Sequence, residues 1–133
     1  MIPKFRAYDS GSLCRMYQPD EVMVCDGNIW IIDEDDVAGS WIVNNDLNLM
    51  QSTGLKDKNG KEIFEGDILE VTDKHSWLEV VSYSQEKAMF VTEEINREFK
   101  VPESPLYDLL DSTFLKFKII GNIYENPKLL EVE

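Results

Sequence analysis

A chain of 133 residues with 13 basic and 26 acidic side chains carries a formal net charge of −13. That balance repels phosphate and excludes a broad basic footprint for nucleic acid, and a hydrophobic content of 43% excludes wholesale disorder. The length suits a single domain over residues 1–133 that buries roughly two thirds of its unfolded surface, and no stretch approaches the roughly 20 apolar residues that span a bilayer.

In chain order, Lys4 to Tyr8 alternates, with Phe5 and Ala7 on one side and Lys4, Arg6 and Tyr8 on the other. That is the period of a half-buried strand. Asp9 to Ser12 is a turn cluster, and Leu13 to Tyr17 resumes as the second arm of a hairpin. Pro19 and Asp20 break the chain. Val22 to Cys25 and Asn28 to Ile32 then flank Asp26-Gly27, a two-residue hairpin turn. Asp33 to Asp36, in sequence DEDD, reads as a solvated loop before Trp41 to Val43. Its chemical readings are a hard-cation site or a mimic of phosphate spacing. The run lacks the midway glycine and closing glutamate of an EF-hand, and transient magnesium binding by two carboxylates stays open.

Leu47 to Gln51 leads into the segment around which the chain is organised, QSTGLKDKNGKEIFEGDI from Gln51 to Ile68. Asn59-Gly60 marks a hairpin there. A two-residue loop would oppose Lys58 to Lys61 and Asp57 to Glu62, and like charges directly across a ladder are destabilising. A three-residue loop of Lys58, Asn59 and Gly60 instead pairs Asp57 with Lys61, Lys56 with Glu62 and Leu55 with Ile63. The three-residue loop is therefore expected, with Gly60 left-handed. Gly54 and Gly66 bracket the hairpin where sharp turns or positive φ are needed, and Asp67 opens the next strand.

Asp67 to Thr72, Trp77 to Tyr83 and Ala88 to Thr92 read as an antiparallel meander with Val80, Val81, Met89, Phe90 and Val91 at or near the core. Glu93 to Phe99 is left unassigned. Ser104 as N-cap and Pro105 at the first helical position predict a short helix to about Asp111. Leu115 to Ile120 alternates as a strand, Gly121 and Asn122 end it, Ile123 and Tyr124 return to the core, and the tail from Lys128 forms a helical turn or frays. Apolar residues on both faces of the strands suit a partly open barrel or barrel-like sandwich. The fold class is mainly β, with one short helix.

Catalysis leaves a nucleophile, a base and a group that orients it, and none of these is readable here. His75 is the single histidine, in a strand-connecting loop, which excludes two-histidine zinc sites. Cys14 and Cys25 sit in apolar alternating segments and read as buried reduced thiols, without the second pair that a four-ligand zinc site needs. The order of glycine, lysine and threonine in TGLKDKNGK does not make a phosphate-cradling loop. No catalytic residue, metal ligand or cofactor is assigned. Lys56, Lys58 and Lys61 cluster, but Asp57, Glu62 and Glu65 lie among them, so the hairpin tip reads as solvated.

Three segments carry a resemblance. TGLKDKNGKEIFEGDI, KFRAYD at Lys4 to Asp9 and IIGNIYENPKLLE at Ile119 to Glu131 are similar to the central, opening and closing motifs of the YopX protein family. Tyr8 stands where a tryptophan is common in that family and Ser52 where an aromatic is common, and Trp77 to Thr113 matches no motif. The resemblance implies a mostly β fold with SH3-like barrel character, and a small protein encoded by bacteriophages or prophages of low-GC Gram-positive bacteria. The biochemical role of that family is not established. The motif residues Thr53, Gly54, Leu55, Asp57, Asn59, Gly60, Ile63, Glu65, Gly66, Asp67, Gly121, Asn122, Tyr124, Asn126 and Pro127 are expected to serve the fold.

Three functions compete on these grounds. The favoured one is a non-enzymatic accessory protein, cytoplasmic in its bacterial host, that binds a host or phage protein. The others are an acidic inhibitor that competes with DNA for a host DNA-binding enzyme, drawing on the charge and the DEDD run, and a divalent-metal hydrolase using clustered carboxylates. Unpaired edge strands leave homo-oligomer formation open.

Overall fold

Turns that demand positive φ punctuate the chain, and the short strands between them pair antiparallel, mostly with their sequence neighbours. The computed structural model describes residues 3–95 and 101–131. Contacts gather in two compact units, Met1–Ser52 and Thr53–Glu133, where the sequence reads as one domain over 1–133.

In the first unit, β1 (Phe5–Asp9) lies between β2 (Arg15–Tyr17) and β6 (Asn48–Lys56), with Ala7 opposite both Tyr17 and Leu49. A 3-10 turn over Pro19–Glu21 leads to a second sheet in the order β3-β4-β5, formed by Val22–Cys25, Asn28–Ile32 and Trp41–Val43. Asp26 and Gly27 close the β3-β4 hairpin with φ of 52° and 75°, the pair of positive values that a two-residue turn requires. Ala7, Tyr17, Val22, Ile31 and Leu47 form the core of this unit. β1 is not half-buried as its alternation suggests. Arg6 and Tyr8, on its supposedly polar side, are buried as well. The Arg6 Nε–H points to the Met50 sulfur at 3.4 Å.

Both cysteines are exposed and free, contrary to the expectation of buried thiols. Cys14 sits at a positive φ of 48° before β2. Cys25 ends β3 on the outer face of its sheet. Neither position feeds a core, although the neighbouring residues are apolar.

In the second unit the far half of β6 and β7 (Glu62–Phe64) form the central hairpin. Gly60 has φ of 82°, its N–H donates to the Asp57 carbonyl at 3.0 Å, and the Asp57 N–H donates to the Lys61 carbonyl at 2.8 Å. This is the three-residue loop. The meander β8 (Asp67–Thr72), β9 (Ser76–Ser84) and β10 (Met89–Glu94) is flanked by β11 (Ser104–Pro105) and β12 (Lys116–Asn122) in the order β11-β10-β9-β8-β12, a sheet curled into a half-barrel. The fold is mostly β, with antiparallel sheets and one short helix.

That helix, α1 (Leu106–Asp111), starts one residue later than predicted, and Pro105 holds the cap position without a side-chain bond. Ser104 and Pro105 are held instead as a strand against Thr92 and Val91. Gly121 and Asn122 continue β12 through a register shift after Ile119, whereas the sequence suggested that they end it. Of the unassigned stretch, Glu93 and Glu94 complete β10, and residues 96–100 lie outside the described residues. Ile63, Leu69, Val71, Val81, Leu106, Leu109 and Phe117 make the core of this unit.

Candidate functional site

The motif residues build turns and joints. Asp57 is buried, and its carboxylate accepts three backbone N–H bonds, from Asn59 at 3.0 Å and Lys61 at 2.8 Å on one oxygen and from Ile119 at 3.2 Å on the other. The expected Asp57–Lys61 pairing is therefore a backbone pairing, because the carboxylate is occupied by the loop and by β12. Thr53 accepts the Leu55 N–H and donates to the Ile63 carbonyl, beside Gly54 at φ of 78°. Glu65 and Gly66, the latter at φ of 84°, turn the chain into β8, where Asp67 accepts the Phe64 N–H at 2.8 Å. At the other end Asn122 Oδ1 accepts the N–H groups of Tyr124 and Glu125, and Asn126 Oδ1 accepts the Asn122 N–H. A Cβ on Gly121 would meet Asn126 Oδ1 at 2.3 Å, and Pro127 opens a closing 3-10 turn over Pro127–Leu130.

Two other features offer surfaces for recognition. The first is the outer face of the β3-β4-β5 sheet. Its register sets Met23 beside Trp30 and Trp30 beside Val43, with Ile32 beside Trp41. Because alternate residues share a face, these five side chains form one apolar row, while Val22 and Ile31 on the opposite face fill the core. Met23 and Val43 are exposed and both tryptophans are half-buried. The DEDD run closes this sheet at one end as a self-bonded loop. Asp33 accepts the Asp35 N–H, Asp36 accepts the Ala38 N–H and the Ser40 hydroxyl, and Glu34 pairs with Arg15. The Ser40 hydroxyl first, then the Ala38 N–H, hold the Asp36 carboxyl below the ordinary aspartate range. Arg15 also pairs with Glu21 at 2.6 Å and lies 4.3 Å above the Tyr17 ring.

The second feature is a cavity of about 200 Å³ in the second unit, lined by Trp77, Glu79, Thr92, Glu94, Asp108 and Leu109 among others. The register explains its polarity. Trp77, Glu79 and Val81 share a face of β9, and Thr92 lies opposite Val81 and Glu94 opposite Glu79 on β10. Val81 belongs to the core, so Glu79, Thr92 and Glu94 occupy core-facing positions. Glu79 is buried and accepts the Trp77 Nε1–H at 2.9 Å. Thr92 is 1% exposed, and its hydroxyl has no partner among the described residues. The sequence reading missed this group. The signal was present in the alternation Trp77-Glu79-Val81, which puts a carboxylate in phase with core residues. Although several acids reach the cavity, no cluster of three or more His, Cys, Asp or Glu able to hold a metal occurs among the described residues.

From the hairpin loop the Lys58 ammonium donates to the Leu115 carbonyl at 2.9 Å, and Lys58 borders a shallow groove with Lys116 and Lys118. Lys118 is 3.8 Å from Glu70, which tempers its charge. Among the described residues no helix is long and apolar enough to cross a membrane.

The YopX protein family model matches residues 4–131, spanning both compact units. The chain belongs to the YopX protein family. Protein EF1440 from Enterococcus faecalis is 31% identical in sequence, and its crystal structure aligns over 98% of this chain and 99% of its own with a TM-score of 0.65. Protein yopX from Bacillus subtilis, at 18% identity, shares the fold over 96% of this chain and 98% of its own with a TM-score of 0.63. Among curated proteins none matches the chain. Family membership supplies no chemical activity.

Proposed function

We propose that this YopX-family chain is a non-enzymatic accessory protein of phage or prophage origin, cytoplasmic in a bacterial host, that binds a protein partner. We read its half-barrel as the SH3-like element of the family. The observation that carries the proposal is the apolar row on the outer face of β3-β4-β5, with Met23 42% and Val43 43% exposed beside Trp30. A contiguous apolar strip with aromatic anchors marks an interaction surface. The acidic loop at the end of that sheet selects a partner whose apolar contact is bordered by basic residues.

The test compares wild type with Val43→Glu as baits in a bacterial host lysate, with a photoreactive residue at position 23 in both. A partner crosslinked by wild type, lost with Val43→Glu, and crosslinked through an apolar segment bordered by lysine or arginine is the expected result. Crosslinking that is indifferent to Val43→Glu would overturn the assignment of this face.

A further inference from the structure

The cavity of the second unit carries an inference independent of the sheet face. Core-facing positions of a curled sheet are normally apolar, because a buried polar group without a partner costs about 1–3 kcal/mol. Glu79 and Thr92 break that pattern side by side. Trp77 fixes one oxygen of Glu79 by donating its indole N–H, which leaves the other oxygen for a further bond. The Thr92 hydroxyl, 1% exposed, has no partner among the described residues. Both line the same cavity of about 200 Å³, whose remaining wall includes Leu109, Pro105 and Trp77.

We infer that this cavity binds a guanidinium group, with Glu79 supplying the charge, Trp77 a stacking surface and Thr92 a hydrogen-bond acceptor. The sign follows from the lining, since Glu79 and Asp108 face the cavity and no basic residue is among its described lining. An anion is therefore repelled. A metal ion lacks its ligand set, because no suitable cluster of three donors occurs among the described residues. Between the organic cations the wall decides. An ammonium is compact and strongly hydrated, whereas a guanidinium is planar, weakly hydrated and stacks on aromatic faces. A half-apolar cavity with a tryptophan in its wall favours the second. The source is either an arginine side chain of a protein or a free guanidino compound, which share this chemistry.

Titration of the full chain with N-acetyl-arginine amide, followed at the Trp77 indole N–H by NMR, tests the site. Saturable shifts are expected at Trp77 and at the Thr92 amide, with N-acetyl-citrulline amide and N-acetyl-lysine amide each at least about tenfold weaker. Glu79→Gln and Thr92→Val should each weaken arginine binding by about tenfold, the equivalent of one hydrogen bond to a charged group. Val43→Glu should leave it unchanged, so a failed sheet face and a failed cavity are separate results. Tighter binding of a Gly-Arg-Gly peptide than of agmatine points to a protein source, and the reverse order to a free one; either ranking supports the class. Equal binding of citrulline and arginine amides, or shifts absent from Trp77 at saturating ligand, would overturn the inference. So would a Thr92→Val melting temperature several degrees below wild type, because it would show the hydroxyl already bonded in the free protein.

Discussion

Asp57 and Thr92 are both buried in the second unit, but their polar atoms are treated in opposite ways. Asp57 reaches three backbone N–H groups, on its own loop and on β12. Thr92 sits deeper, at 1% exposure, and its hydroxyl meets no partner among the described residues. Burying a satisfied carboxylate fixes backbone geometry, whereas burying an unsatisfied hydroxyl weakens the fold and leaves a bonding capacity for something else. The first pattern belongs to architecture and the second to recognition.

Removing Asp57 should have the largest effect on this contrast. Asp57→Ala removes the acceptor of three part-buried backbone N–H groups and is expected to lower unfolding free energy by about 3 kcal/mol, measured by urea denaturation. Asp57→Asn keeps one acceptor oxygen and should lose roughly half as much. Gly121→Ala comes next, since its Cβ would collide with the Asn126 carboxamide that holds the Asn122 N–H. A loss of about 2 kcal/mol is expected in the same assay.

Thr92→Val should behave in the opposite sense and leave stability unchanged or raise it by up to about 1 kcal/mol, because no bond is broken. A loss as large as that of Asp57→Asn would erase the distinction between the two sites. Val43→Glu, on the exposed row, should change stability by less than about 0.5 kcal/mol while abolishing partner crosslinking.

Asp9 sharpens the contrast through pH. Burial pushes its carboxyl up, but the Ser12 and Gly11 N–H groups, with the Ser12 hydroxyl, more than offset that and leave it below the ordinary aspartate range. A depressed folded-state value means that the ionised group stabilises the fold above the unfolded value, near pH 4, and that this contribution disappears as pH falls through the folded value. The stability gap between wild type and Asp9→Asn should therefore be constant from pH 7 to about pH 5 and close below about pH 4. A gap that persists at low pH would show that the turn depends on shape and not on ionisation.

The turns and most strands were legible in the sequence because their causes are local. Asp26-Gly27 and Asn59-Gly60 mark their hairpin loops from neighbouring residues alone. Burial was less legible where it depends on distant chain. Arg6 and Tyr8 read as the wet side of a strand, and Cys14 and Cys25 as buried, because alternation gives a face but does not show what covers it. Ser104 has the composition of a helix cap, yet pairing with Thr92 takes it into a strand. The cavity was hidden for the same reason. A carboxylate at position 79 looks like any surface acid until the register with β8 and β10 sets it among core side chains.

By itself, then, the sequence determined the strand alphabet, the hairpin loops and the family signature, all of which rest on interactions between residues close in the chain. Only the tertiary structure decided that Asp57 reaches β12, that Met23, Trp30 and Val43 form one partly exposed row, and that Glu79 and Thr92 share a cavity. Each of these depends on which strands become neighbours, a choice made by burial of the whole chain and not by any segment of it.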